Sequence, residues 1–265
     1  MGTTWRTLSV IGVACSMLVS CSSDSDGPAA TQGAPTTTVG IATDVSNSTA
    51  STDATDSTTP PSSIDEAADQ AVAEGALLQL SDFEPGWSEV ASTDDASQAS
   101  VKAAIAECVG SDQDSALKFG GAVAETGTIT SPDGDQIVEE MVTFAPTVAA
   151  ATERMAALAA PEFALCIQPI YEQWISDAMS DSGGTLEQVT IGTLNVTPVG
   201  DSTVAYRITV TAAKGGRTQD LFVDLVVIQV GRVLASPGFQ SKNTPFSIDD
   251  TEKYIALAAS RLPAP

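Results

Sequence analysis

Residues 64–265 predict an α+β domain: an antiparallel sheet of roughly five or six strands with helices packed on it. Three observations predict it. The second half of the chain holds runs rich in Val, Ile and Thr, divided by short glycine-bearing turns, as in an antiparallel meander. Segments with capping residues and helically spaced apolar side chains lie before and after those runs. Two cysteines, Cys108 and Cys166, are available to close one disulfide within the domain.

The elements follow in order. Ser63-Ile64-Asp65-Glu66 fits a capping box, and the spacing predicts a helix to about Ala73 or slightly beyond. In Leu77-Leu78-Gln79-Leu80-Ser81-Asp82-Phe83-Glu84-Pro85-Gly86-Trp87, the Pro-Gly pair forces a turn. Val101 to Cys108 reads as a short helix closed by Gly110, with Ala104, Ile105 and Cys108 on one face. Ala122 to Thr130 and Gln136 to Phe144 read as strands joined by a hairpin at Pro132-Asp133-Gly134. Pro146 suits the first turn of a helix that runs to Ala160, breaks at Pro161 and resumes from about Glu162 to Met179. Leu186–Thr197, Thr203–Thr211, Leu221–Val230 and Val233–Ser236 make the meander, punctuated by Gly200-Asp201, Gly215-Gly216 and Gly231-Arg232. Val223 to Ile228 is apolar apart from Asp224, so this strand is expected at the centre, covered on both faces. Asp249-Asp250-Thr251-Glu252 reads as a second capping box, opening a last helix that ends near Leu262, before Pro263.

The region ahead of the domain reads differently. Residues 21–63 are almost wholly Ser, Thr, Ala, Gly, Pro and Asp, a composition that cannot bury enough apolar surface to offset chain entropy. They are expected to form a disordered tether with a mean reach of a few nanometres, at about 5–6 Å × √n. Its Ser and Thr density also suits O-glycosylation, with an unmodified linker as the alternative. Residues 1–20 read as a secretory signal, with Arg6 as the positive n-region and Leu8 to Leu18 as the apolar stretch. That stretch is short of the about 20 apolar residues a spanning helix needs. Its ending, Leu18-Val19-Ser20-Cys21, resembles the lipobox of bacterial lipoproteins. The resemblance implies removal of residues 1–20 and lipidation of Cys21 by diacylation of its thiol, usually with acylation of the new N-terminus. The mature protein is then expected on the extracytoplasmic face of the cell membrane, its membrane partner reached through Cys21. Two or three acyl chains, at about 0.8 kcal/mol per buried methylene, anchor stably where one does not.

With Cys15 removed and Cys21 lipidated, only Cys108 and Cys166 remain, and an extracytoplasmic compartment permits their disulfide. The chain has no histidine, so a cysteine nucleophile lacks its usual base and two thiols cannot complete a zinc site. There are 34 acidic and 11 basic residues, for a net charge of −23. Such a surface repels phosphates, which excludes a nucleic-acid partner and leaves membrane contact to the acyl anchor.

The segment Leu77 to Trp87 resembles a motif near the start of many actinobacterial surface lipoproteins, whose domains are related to the extracellular sensor of mycobacterial serine/threonine kinases. Gly200-Asp201, Tyr206-Arg207, Val230-Gly231-Arg232-Val233 and Arg261-Leu262 fall where that pattern places them, so the resemblance spans about Ala76 to Leu262. It implies a sheet covered by helices around a cleft, with a ligand-binding or sensing role and no catalysis. Two departures stand out: the kinase sensors tend to carry two disulfides, and this chain has no kinase domain and no membrane-spanning helix.

No Gly-x-Ser-x-Gly elbow, no Walker phosphate loop and no His-Glu-x-x-His is present. Glu139 and Glu140 are neighbours on one strand, so they face opposite sides and cannot share a site. Asp24-Ser25-Asp26-Gly27 lacks the ligands of a calcium loop, and Asp133-Gly134-Asp135 reads as a turn, not a metal site. Trp87 and Trp174 are read as core in preference to cleft lining, as are Met141, Met155 and Met179. No cofactor is expected. The reading is a lipid-anchored, non-catalytic binding or sensor-like domain whose ligand site is unknown and whose partner is an extracellular ligand or envelope protein. The alternatives are a lipid or glycolipid carrier, a cell-wall hydrolase with carboxylates about 5 to 9 Å apart, and a purely structural envelope protein. A large apolar cavity favours the carrier; a closed core with a polar groove favours partner binding.

Overall fold

The computed structural model describes residues 66–91 and 122–263 and, between them, 101, 103–105, 107 and 108. Cys21, the signal, the tether, Ser63 to Asp65 and Gly110 lie outside the described residues. The architecture is α+β as expected, but the described sheet has eight strands, more than predicted. They are β1 (Ser88–Val90), β2 (Val123–Glu125), β3 (Thr128–Thr130), β4 (Gln136–Phe144), β5 (Thr185–Thr193), β6 (Ser202–Lys214), β7 (Arg217–Val230) and β8 (Val233–Lys242). The order is β1-β3-β4-β8-β7-β6-β5, every pair antiparallel, with β2 also on β4.

The extra strands arise where the sequence signal is short. The expected strand over Ala122–Thr130 breaks into β2 and β3, which share one edge of β4. At the break, Thr126 Oγ1 accepts from the Glu140 N–H at 2.8 Å. Next to it, a Cβ on Gly127 would meet the Val90 carbonyl at 2.5 Å, so only glycine lets β1 approach.

Helices cover both faces. Four are α1 (Glu66–Ala76), α2 (Val148–Ala159), α3 (Pro161–Asp181) and α4 (Ile248–Arg261). The helical residues at 101, 103–105, 107 and 108 form a further turn carrying Cys108. On one face Ile137, Met141, Ile208, Val223 and Leu234 pack with Ala151, Leu158, Ile167, Tyr171 and Ile105. On the other, Val138, Val142, Ile228, Ala235 and Phe239 pack with Ala73, Tyr254, Ile255 and Ala258. Each fully buried Val, Leu, Ile, Phe or Met side chain among them contributes about 1.5–3 kcal/mol. β7 is buried on both faces at Val223, Val226 and Ile228, as its apolar run predicts.

Local departures have physical causes. Pro146 lies ahead of α2, whose N-cap is Thr147; its hydroxyl accepts from the Ala150 N–H at 3.1 Å. Pro161 opens α3 at its first turn, where no N–H is needed. The N-cap of α4 is Ser247, not Asp249, with the Asp250 N–H donating to its hydroxyl at 3.0 Å. Asp249 and Asp250 sit in the first turn, where the helix dipole favours them. β8 continues past Ser236 through Pro237 and Gly238 to Lys242. Pro237 has no N–H, and Val226 and Val227 have no registered partners across from Ser236 and Pro237. The disulfide joins Cys108 to Cys166 with a Cα–Cα distance of 5.7 Å. Among the described residues, no helix is long and apolar enough to cross a membrane.

Candidate functional site

Asp82 of the Leu77–Trp87 segment and its distant charged companions each hold a partner. Asp82 binds Arg261 through two bonds, Arg261 Nη1 to Oδ2 at 2.7 Å and Nη2 to Oδ1 at 2.6 Å. Arg207 forks onto Asp224 with two bonds of 2.6 Å, and its Nη2 also donates to the Phe246 carbonyl. Arg232 binds Asp69 on α1 and lies 4.7 Å over the Phe144 ring. Asp201 accepts from the Gly231 N–H at 2.6 Å, holding the β7–β8 turn. Gly200 has φ +67°, and a Cβ there would meet the Gln229 carbonyl at 2.5 Å. Phe83 stacks on Tyr254 at 4.7 Å and contacts Trp87 at 4.9 Å. These residues are therefore scaffold: they hold α1, α4, the Leu80–Asp82 turn and the β7–β8 turn in place. Trp87 is half-buried against the core, and Met141, Met155 and Met179 are buried in it.

The structure places Glu139 and Glu140 on opposite faces of β4, each committed to a neighbour. Glu139 Oε1 accepts from the Thr128 hydroxyl at 2.5 Å. Glu140 Oε2 accepts from the Leu78 N–H at 2.6 Å. Burial pushes Glu140 up to about 8, against the opposing Leu78 hydrogen bond and the Arg261 charge. Burial likewise raises Glu139. Asp133 closes the β3–β4 turn, accepting from the Ser131 hydroxyl at 2.6 Å and the Asp135 N–H at 3.1 Å. Among the described residues, no three acid or cysteine side chains come together in a way that would hold a metal ion.

An apolar cavity lies under α2 and α3, where Pro237 opens the ladder. Leu158, Phe163, Ile167, Tyr171, Val204, Tyr206, Leu225 and Pro237 line it, together with Arg154. It encloses about 50 Å³, far below the 300–1,000 Å³ typical of small-molecule sites. Tyr206 donates to the Leu158 carbonyl at 2.7 Å, which fixes its wall. Burial pushes the Arg154 guanidinium down to about 10. Sequence reasoning missed Arg154. The signal was present: Ala151, Arg154, Met155 and Leu158 share the buried face of α2 at helical spacing.

The open surface feature is a polar groove of about 720 Å³ between α3 and β5. Gln168, Pro169, Glu172, Gln173 and Ser176 form one wall; Leu186, Glu187, Gln188 and Val189 form the other. Gln168 bridges the walls, donating to Glu172 at 2.9 Å and to the Val189 carbonyl at 3.4 Å. Next to it along α3, and sharing Pro169 and Gln173, half-buried Trp174 lines a smaller groove of about 410 Å³ with Val101, Ala104 and Ile170. It also meets Tyr171 edge-on at 6.2 Å. The arrangement is a closed core with a polar groove.

No protein-family profile matches this sequence. No curated protein sequence is similar to it. The likeness to solved structures is weak. The extracellular domain of PknH from Mycobacterium tuberculosis is 12% identical with a TM-score of 0.32, over 68% of this chain and 82% of that one. LpqN, involved in cell envelope biogenesis of Mycobacterium tuberculosis, is 12% identical with a TM-score of 0.23, over 52% of this chain and 68% of that one.

Proposed function

We propose that the chain is a lipid-anchored extracytoplasmic protein whose α+β domain binds an envelope partner without catalysis. The anchor rests on the Leu-Val-Ser-Cys21 ending and the polar stretch that follows it. The binding mode rests on one observation, the contrast between the two cavities. The apolar one encloses about 50 Å³, too little for an acyl chain or glycolipid. The open groove between α3 and β5 is polar and large enough for a polypeptide segment. The non-catalytic reading is supported by the two buried acids of β4, which face apart and serve structural hydrogen bonds.

Native mass spectrometry of the protein purified from its own envelope, repeated after denaturation, tests this reading. The expected result is the mass of the lipidated chain alone, or of its complex with another protein. A discrete small-molecule excess released on denaturation would establish the carrier instead. Turnover of cell-wall glycan that disappears on replacing either of two acids would establish the hydrolase.

A further inference from the structure

We propose that the outer edge of β5, walled by α3, docks an extended segment bearing lysine or arginine from a protein partner, as an added strand. This deepens the partner-binding reading above and rests on it. Among the described residues β5 ends the sheet and pairs only with β6. The Leu194 N–H donates to the Ala205 carbonyl at 2.9 Å, and the alternation of an antiparallel ladder turns the groups of Thr193, Ile191 and Val189 the other way. The Val189 carbonyl agrees: it is reached from outside the ladder by Gln168. At 3.4 Å that bond is long, and a strand N–H at about 2.9 Å replaces it favourably.

Sheet edges are normally blunted by lysine, proline, bulges or a covering element. β5 carries a register shift between Leu186 and Gln188, but Val189 to Thr193 holds no charge and no proline. Two further features lie on α3, one of them a turn ahead of the groove wall. Leu165 is 74% exposed, the most exposed large apolar side chain among the described residues. Pro169, four residues on, supplies no N–H to the Leu165 carbonyl, leaving an acceptor beside that side chain. An added strand therefore finds outward backbone groups along β5 beside the α3 wall of the groove, the pattern of strand-addition recognition.

Charge selects the occupant. Glu172 and Glu187 line the groove, and no basic residue does. The chain's own tether has no Lys or Arg between Arg6 and Lys102, and a second copy brings the same glutamates and a net charge of −23. Both are repelled, whereas a basic segment is attracted.

The test uses the full mature chain in detergent and a short capped peptide of alternating lysine and valine. Its controls are the same peptide N-methylated at every second residue and a glutamate–valine counterpart. The expected result is slowed amide exchange at Val189, Ile191 and Thr193 with the lysine peptide, and none with either control. Reversing both charges, Glu172→Lys with Glu187→Lys, is expected to weaken binding by about fivefold or more; Glu187 is exposed and Glu172 half-buried, and an unchanged urea midpoint checks that folding is retained. Absence of binding, equal binding of the N-methylated peptide, or protection elsewhere would overturn the proposal. A partner protein in the native mass combined with no protection at β5 removes only this edge. A small-molecule excess or glycan turnover removes the partner-binding reading with it.

Discussion

Arg261, at the end of α4, closes a two-bond fork on Asp82, 179 residues earlier in the chain. Its Nη1 also donates to the Leu77 carbonyl at 2.7 Å, and the Gln79 N–H donates to Asp82 at 2.6 Å. Desolvation opposes the charge on Asp82. The hydrogen bonds from Arg261 and Gln79 and the Arg261 charge outweigh it and hold the carboxyl below its usual range. Both side chains are half-buried, at 22% and 12% exposure, so solvent screens the pair only in part. Arg261→Ala is expected to lower unfolding free energy by about 1.5–3 kcal/mol, read from the urea midpoint. Arg261→Lys, which cannot fork, should recover only part of it.

Burial sets a pH response through Glu140, whose Oε1 accepts no hydrogen bond among the described residues. Its carboxyl is raised by burial from 4.5 to about 8. The native state therefore keeps a proton that the unfolded chain releases above about 4.5. Its stabilising contribution is full below that pH and is lost as pH rises towards 8. Burial raises Glu139 and Asp224 as well, so their contributions carry the same sign. Glu140→Gln is expected to flatten the fall in stability between pH 5 and about 8 and to raise stability at the alkaline end. Urea unfolding across that range reads both effects; an unchanged slope would remove Glu140 as the titrating group.

How much of this was legible in the sequence depends on the distance over which each feature is specified. The β6–β7 hairpin was legible because Gly215 and Gly216, with φ of 60° and 76°, divide two runs of β-branched residues. α4 was legible from its apolar spacing, though its cap was placed two residues late, at Asp249 in place of Ser247. The end of β8 was hidden because Pro237 argues against a central strand, and only pairing with β4 on its other side overrides that preference. The helix expected from about Glu162 to Met179 does run through Pro169: packing of Ile167, Tyr171 and Ile175 outweighs one lost backbone bond. The Arg–Asp forks were not legible, because nothing local says which aspartate an arginine will meet. The groove depends on α3 lying beside β5, a tertiary contact that periodicity does not encode.

The Cys108–Cys166 bridge spans 58 residues and joins the turn bearing Val101 and Ile105 to α3. Closing a loop of that length stabilises by about 4 kcal/mol in the chain-entropy model. Replacing both cysteines with serine is expected to lower the guanidinium midpoint accordingly. Intact mass without reduction should be two hydrogens below the dithiol value. Free thiols at both positions in the exported protein would remove the bridge.

Anchoring is a separate expectation, independent of any partner. If Cys21 is lipidated, Cys21→Ala should move the protein from the membrane fraction to the medium or soluble envelope fraction. Two or three acyl chains bind essentially permanently, while the acidic surface gives no electrostatic hold on anionic headgroups, so no partial retention by charge is expected. The mature N-terminal peptide of the wild-type protein should begin at Cys21 and carry the mass of its acyl groups. Unchanged membrane retention in the variant, together with an unmodified wild-type N-terminus, would show that another feature holds the protein at the membrane.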